Sequence, residues 1–366
     1  MSFLNDLFKK KNRSVLGVDI GSSSLKVVQL RKEKGKAILE TYGELALGPY
    51  GGSEVGQATN LSAEQIATTL RDLLREAKVT TTSAGVSIPF ARSLLTLVNL
   101  PRREKPEEQK TIIELEARKY IPVPITEVQL DWFVVPDGGS DDTAAKKSAD
   151  TIEEKKTVDV LLVAVHNDEL ALLEAAVKGA GLEANFYEIE IFSSIRAAAI
   201  DTVKPVMVLD IGAATTKVYI VEHGVVQFSH SITTGSQDIT RAIAAAGNLT
   251  IARAEELKKE TGLAEGSASR SSLELVFDRI FSEAKRVILQ YETGHERAIT
   301  EVVLTGGGGV TKELGTHAHT AFSIPVRVAD PFLKTEAPAF MRPVLEEIGP
   351  EFAVAVGLAL RKLDEM

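Results

Sequence analysis

The 366-residue chain carries 42 basic and 51 acidic side chains, a formal net charge of −9, and 44% hydrophobic residues. Such a chain buries a core large enough for two or three units, and its acidity argues against a general attraction to DNA, RNA or anionic lipid, so no nucleic-acid partner is expected. Lack of cysteine removes disulfides, thiolate zinc sites and thiol nucleophiles; His166, His223, His230, His295, His317 and His319 show no metal-ligand spacing, and no apolar run reaches the ~18 residues that span a bilayer.

In chain order, residues 1–13 come first, with Phe3, Leu4, Leu7 and Phe8 on one helical face ahead of Lys9, Lys10 and Lys11. This is an amphipathic segment that would touch a membrane or partner helix, or simply fray. The stretch VLGVDIGSSSLKVVQL (15–30) then reads as strand, glycine turn and strand. A polar loop (48–60) leads to a helix opened by a capping box at Ser62 and Gln65, with Ile66, Leu70, Leu73 and Leu74 on its apolar face. The runs SAGVSIP and VDVLLVAV read as strands around a helix, 112–121, that breaks at Pro122 and Pro124, and residues 137–157 form a flexible polar insert. Asn167 opens a further helix that runs to Gly181.

The phrase VMVLDIGAATTKVYIV (206–221) repeats the order of the first hairpin, which points to an internal duplication. Further on, RAEELKKETG (253–262) places Glu255 and Lys258 on one helix face, and EVVLTGGGGVTKEL (301–314) runs a strand into Gly306, Gly307, Gly308 and Gly309 before a helix. EFAVAVGLALRKL closes the chain as a helix with small residues at Ala353, Ala355, Gly357 and Ala359. Strands alternating with helices make the class α/β.

A turn of glycine and hydroxyl residues between strands gathers backbone N–H groups into a concavity suited to phosphate oxygens. Gly21, Ser22, Ser23, Ser24 and Lys26 form one such turn; Gly212, Ala213, Thr215 and Thr216 form its copy. Two of them facing each other would hold a triphosphate. Asp19 and Asp210 would then lie beside like charge, a conflict that Mg2+ bound through water resolves. The bland reading is that each DxG turn serves turn chemistry only.

With these motifs the chain resembles the actin-like ATPase superfamily, which includes actin, DnaK-type chaperones, sugar kinases, MreB, FtsA and PilM. DIGSSSLK and DIGAATTK match its two phosphate motifs, one from each duplicated RNase H-like domain, and LTGGGG matches the adenosine motif with Gly306, Gly307 and Gly308. The resemblance implies ATP as ligand, with Glu255 and Lys258 at ribose and adenine. It also gives catalytic roles to Asp19 and Asp210 and a water-polarising role to Glu190.

Within the superfamily, ARKYIPVP resembles the PilM family, as does YEIEIFSSIRAA (187–198), where Ile191 and Ser193 depart from the family phrase and Ser236 replaces a usual glycine. The likeness implies a first domain over 14–82 and 168–203, an FtsA/PilM-type inserted subdomain over 83–167, and a second domain over 204–366. It further implies a cytoplasmic scaffold of type IV pilus or related secretion machinery with slow ATPase activity at most. Its partner would be the cytoplasmic peptide of a PilN-type protein, beside other pilus platform proteins and self-association, with inner-membrane association indirect. A chaperone would continue well beyond the nine residues after Gly357, and FtsA would end in a linker and membrane helix. An FtsA-like or MreB-like filament protein and a small-molecule kinase are the alternatives.

Overall fold

A computed structural model describes residues 14–135, 157–198 and 203–366. The N-terminal segment (1–13) and nearly all of the expected insert (137–157) lie outside the described residues.

Two five-stranded sheets share one topology. In the first the order is β3-β2-β1-β4-β8, from β1 (Ser14–Ile20), β2 (Ser24–Glu33), β3 (Lys36–Ala46), β4 (Ser83–Ile88) and β8 (Glu183–Ile189). In the second it is β11-β10-β9-β12-β13, from β9 (Val206–Ile211), β10 (Thr216–Glu222), β11 (Val225–Ile232), β12 (Glu301–Thr305) and β13 (Val326–Val328). Each sheet sets an antiparallel meander of three strands against two parallel ones. The duplication legible in the hairpins therefore extends over whole sheets.

Every residue of β1 is buried, and its side chains alternate between two cores. Leu16 and Val18 face helix α1 (Ala63–Glu76), where Ile66, Leu70 and Leu73 form the apolar stripe. Val15, with Val28 and Leu30 of β2, faces the last helix of the chain. The capping box at Ser62 and Gln65 forms as the sequence implies. Asn167 does not cap its helix: His166 takes the N-cap of α3 (Asn167–Gly179), and the Asn167 amide donates instead to the Thr126 carbonyl at 2.9 Å.

The inserted unit is smaller than the sequence suggests. Strand β4, expected within 83–167, pairs with β1 and β8 in the first sheet, because SAGVSI is buried along nearly its whole length and needs a neighbour on both sides. The insert proper is the sheet β5-β7-β6, built of β5 (Ser93–Pro101), β6 (Val128–Val134) and β7 (Thr157–His166). Helix α2 (Pro106–Ala117) covers it through Ile113 and Ala117.

The C-terminal helix also departs from the expected boundary, since residues 204–366 do not all belong with the second sheet. Short helices α4 (Glu190–Ala197), α5 (Ser236–Gly247) and α6 (Ile251–Thr261) are followed by the long α7 (Arg270–His295), α8 (Leu314–Phe322) and α9 (Arg342–Ile348). The last, α10 (Ala353–Asp364), returns to pack on β1 and α4. Its small residues allow that approach: a Cβ at Gly17 would lie 1.9 Å from the Ala355 carbonyl oxygen, and one at Gly357 would lie 2.0 Å from that of Ser193. The second sheet buries one face against α5 and α7 through Leu209, Val218 and Phe277. Its other face, with Val208, Tyr219 and Val303, joins the first core. Both lobes thus share a core across α4. Among the described residues no helix is long and apolar enough to cross a membrane.

Candidate functional site

The two hairpin turns have the same internal geometry. The Gly21 amide donates to the Ser24 carbonyl at 3.1 Å, and the Gly212 amide to the Thr215 carbonyl at 3.0 Å. The strand register that follows places Asp19 opposite Lys26, and Asp210 opposite Lys217. Each lobe therefore presents one carboxylate and one ammonium beside its turn.

What surrounds the turns differs. In the first, Ser22 is exposed, while the Ser22 and Ser23 carbonyls accept from the Thr59 and Leu47 amides at 2.9 Å each and so anchor the polar loop. The Ser24 hydroxyl is buried and accepts from the Lys26 ammonium at 2.7 Å. In the second, the Gly212 and Ala213 carbonyls accept from the Ser236 and Gln237 amides at the start of α5. Thr216, expected at the phosphates, has 0% exposure, and its hydroxyl donates to the Thr234 carbonyl. Its side chain braces the turn and does not reach the site.

Between the turns lies a charged cluster. Lys217, which the sequence reading left out, holds Glu190 Oε2 at 2.6 Å and Asp210 Oδ2 at 3.2 Å with only 12% of its side chain exposed. Burial alone would pull its ammonium down, but Asp210 and Glu190 outweigh that and hold it well above the ordinary lysine value. The other Glu190 oxygen accepts from the Phe90 amide at 2.7 Å. Burial pushes the Asp19 carboxyl up to about 6 against the pull of Lys26, and the charge of Glu190 adds to the rise. Ser87, also absent from the sequence reading, donates to Asp19 Oδ1 and accepts from the Ile20 amide.

Two further carboxyls approach Lys26. Glu44 pairs with it at 3.0 Å, and Glu351, in the turn before α10, interacts with both. Burial and then the Glu44 charge push Glu351 up to about 7. Burial acts on Glu44 too, but Lys26 outweighs it and holds that carboxyl below its ordinary value. The two shifts thus run in opposite directions, Glu351 up and Glu44 down.

The glycine turn closes on the same place. Gly306 has a φ of +79°, and a Cβ there would lie 2.3 Å from Asp210 Oδ1. The Gly308 amide donates to the Ile211 carbonyl at 2.8 Å, and a Cβ on Gly307 would stand 3.9 Å from the Glu351 side chain. Glu255 and Lys258 are both buried and bonded to each other at 2.6 Å, with the Thr240 hydroxyl between them. Burial lowers Lys258 despite the Glu255 charge. The polar loop of the first lobe crosses to this pair: Glu54 accepts from the Ala252 amide at 2.8 Å, and the Ala58 amide donates to Gln237.

Asp19, Asp210, Glu190, Lys26, Gly21, Gly212, Gly306 and Gly307 thus meet at the junction of the lobes, with the Glu255–Lys258 pair under the loop. Asp210 Oδ2 faces the Lys217 ammonium at 3.2 Å and Asp19 Oδ1 accepts from the Ser87 hydroxyl at 3.1 Å, and among the described residues no group of three or more acidic or histidine side chains could ligate a metal directly.

Residues 17–363 match the family model described as type IV pilus assembly protein PilM. The chain is similar to the structure titled PilM-PilN type IV pilus biogenesis complex, at 24% identity over 95% of this chain and 98% of that one, with a TM-score of 0.79. It is similar at the level of fold to the ethanolamine utilization protein EutJ from Carboxydothermus hydrogenoformans, with 15% identity, 97% and 94% coverage, and a TM-score of 0.55. MreB5 of Spiroplasma citri bound to ADP gives 14% identity, 94% coverage of each chain and a TM-score of 0.52. These likenesses establish the actin-like ATPase fold.

Proposed function

The chain belongs to the type IV pilus assembly protein PilM family, and from that premise we propose that it is an ATP-binding scaffold of a type IV pilus or related secretion platform. It works at the cytoplasmic face of the inner membrane and docks the cytoplasmic tail of a PilN-type protein. The observation that carries the nucleotide half is the pair of hairpin turns with matching geometry, one per lobe, converging with the glycine turn on a single charged junction. Turn amides and Lys26 suit phosphate oxygens, and the Glu255–Lys258 pair suits the nucleoside end.

Turnover is a minor part of this function. Glu190, the residue that would polarise water, gives one oxygen to the Phe90 amide and the other to Lys217, so it is poorly placed to take a proton. A nucleotide held between two lobes that share a core instead fixes their relative position, which is what a scaffold needs.

The partner half rests on the insert. Strand β6 is an edge of its sheet among the described residues, and Phe133 and Val134 on it are 53% and 39% exposed. An edge strand beside apolar side chains suits an extended peptide that adds main-chain hydrogen bonds, and the similar structure carries a PilN chain by its title. The test is fluorescence anisotropy of a labelled PilN-type tail peptide from the same genome. Phe133→Asp should weaken binding by about tenfold or more while leaving the melting curve in place; unchanged affinity removes the docking site from the insert.

A further inference from the structure

The polar loop of the first lobe carries a step beyond nucleotide binding, and it rests on reading the junction as a nucleotide site. We infer that residues 53–58 form a strap across the nucleoside end of that site, and that a nucleotide enters only once the strap lifts off α5 and α6. Glu54 Oε2 accepts from the Ala252 amide at 2.8 Å, and the Ala58 amide donates to Gln237 Oε1 at 3.2 Å. Between these two holds the chain lies on Glu255, so that a Cβ on Gly56 would come within 2.9 Å of the Glu255 carboxyl carbon. No sugar ring fits where a methyl group does not.

The residues beneath the strap are engaged with one another. Glu255 and Lys258 are 8% and 9% exposed. Glu255 Oε2 accepts from the Lys258 ammonium and from the Thr240 hydroxyl at 2.6 Å each, and Lys258 donates to that hydroxyl at 2.9 Å. A ribose or adenine that reached this pair would have to displace the strap first.

The strap is built to move. One end is fixed ahead of Gly52, where the Tyr50 hydroxyl donates to Asp72 at 2.8 Å and the Tyr50 carbonyl accepts from the Gln65 side chain at 3.0 Å. The other is fixed at Thr59, whose amide donates to the Ser22 carbonyl. Gly52 and Gly56 lie in the left-handed region, with φ of +72° and +87°, where glycine turns without strain. None of residues 53–58 is buried, and Val55 is already 48% exposed, so lifting brings little apolar surface into water.

The test uses the full-length chain with Glu54→Cys and Ala252→Cys, which carries no other thiol because the sequence has no cysteine. A short bis-methanethiosulfonate reagent joins the two positions, dithiothreitol frees them, and calorimetry with ATP in magnesium chloride reads both forms. Linking should weaken ATP binding by more than about tenfold, and release should restore it. A smaller loss overturns the strap while leaving the nucleotide reading intact. Absence of ATP binding by the wild type overturns the nucleotide reading, and this inference with it. In a second arm, Glu54→Ala removes one hold and should tighten ATP binding by about two- to fivefold, since less of the protein is then closed. Unchanged or weaker affinity in that variant overturns the strap, and this arm decides alone if the double variant does not fold.

Discussion

The two hairpins are copies in backbone and register yet differ in what their lysines hold. Lys26 bonds Glu44, whose side chain is 38% exposed on strand β3 of the same sheet. Lys217 bonds Glu190, 11% exposed at the start of α4 and therefore outside its own sheet. The first lysine belongs to its lobe, whereas the second ties its lobe to the connecting helix. Duplication preserved the strand order and the Asp–Lys pairing, and the elements that are not duplicated decide how each pair is used.

The largest expected effect breaks that asymmetry directly. Lys217→Met leaves Asp210 and Glu190 buried without their counter-charge, a change that costs about 3–5 kcal/mol when one partner of a buried pair is removed. Lys26 is equally shielded at 12% exposure, but the Glu44 it leaves behind is 38% exposed and partly screened by water, so Lys26→Met should cost less, about 1–3 kcal/mol. Urea unfolding of the two variants measures the difference. Adding Glu190→Gln should recover part of the Lys217→Met loss and none of the Lys26→Met loss, because the coupling runs through one pair only. Equal losses in the two single variants would show that both lysines serve their lobes alike.

A smaller effect separates the lobes by pH. Glu351, beside the first hairpin, is pushed from an ordinary value of 4.5 up to about 7. A carboxyl raised on folding stabilises the folded chain fully below its ordinary value, and that stabilisation is lost as pH climbs through about 7. Wild type should therefore lose about 1–2 kcal/mol between about pH 5 and 8, discounted for partial exposure. Glu351→Gln cannot ionise and should flatten most of that slope in urea unfolding at stepped pH. A residual slope below about pH 6 belongs to Asp19, which burial pushes up to about 6 with the same sign. A Glu351→Gln curve parallel to wild type would take the titration away from the first hairpin's surroundings.

Local chemistry was legible in the sequence, and partner choice was not. The capping box at Ser62 and Gln65, the Glu255–Lys258 face and the repeated turns each depend on residues a few positions apart, and each formed. Lys217 stood in the quoted repeat, but its value lies in Glu190, 27 positions away on another element. The same holds for β4, whose buried run SAGVSI fits either sheet until its neighbours are known. It holds for α10 too, where small residues announce a close approach without saying to what. Thr216 failed differently: a hydroxyl in a phosphate-like turn can serve a ligand or the backbone, and here the Thr234 carbonyl takes it.

The smallest expected effect concerns the polar loop, which gives the first lobe a hold on the second. Its ends are fixed at home, where the Ser22 and Ser23 carbonyls accept from Thr59 and Leu47. Its tip reaches α6, where Glu54 accepts from the Ala252 amide at 2.8 Å. That helix already has Thr250 as its own cap, accepting from Arg253, so Glu54 adds a carboxylate at the positive end of the helix dipole from the other lobe. Such a contact contributes about 0.3–1 kcal/mol and fades with salt. Glu54→Ala should therefore leave the urea midpoint nearly unchanged but speed hydrogen exchange at Ala252 and along residues 53–58, by about two- to fivefold at low salt. The amides of β1 and β2 should keep their wild-type rates, because the loop hangs from the first hairpin and does not hold it together. Acceleration that spread into β1 and β2 would mean that the loop is part of the first lobe's fold, and the contrast between a self-contained first hairpin and a tied second one would fail.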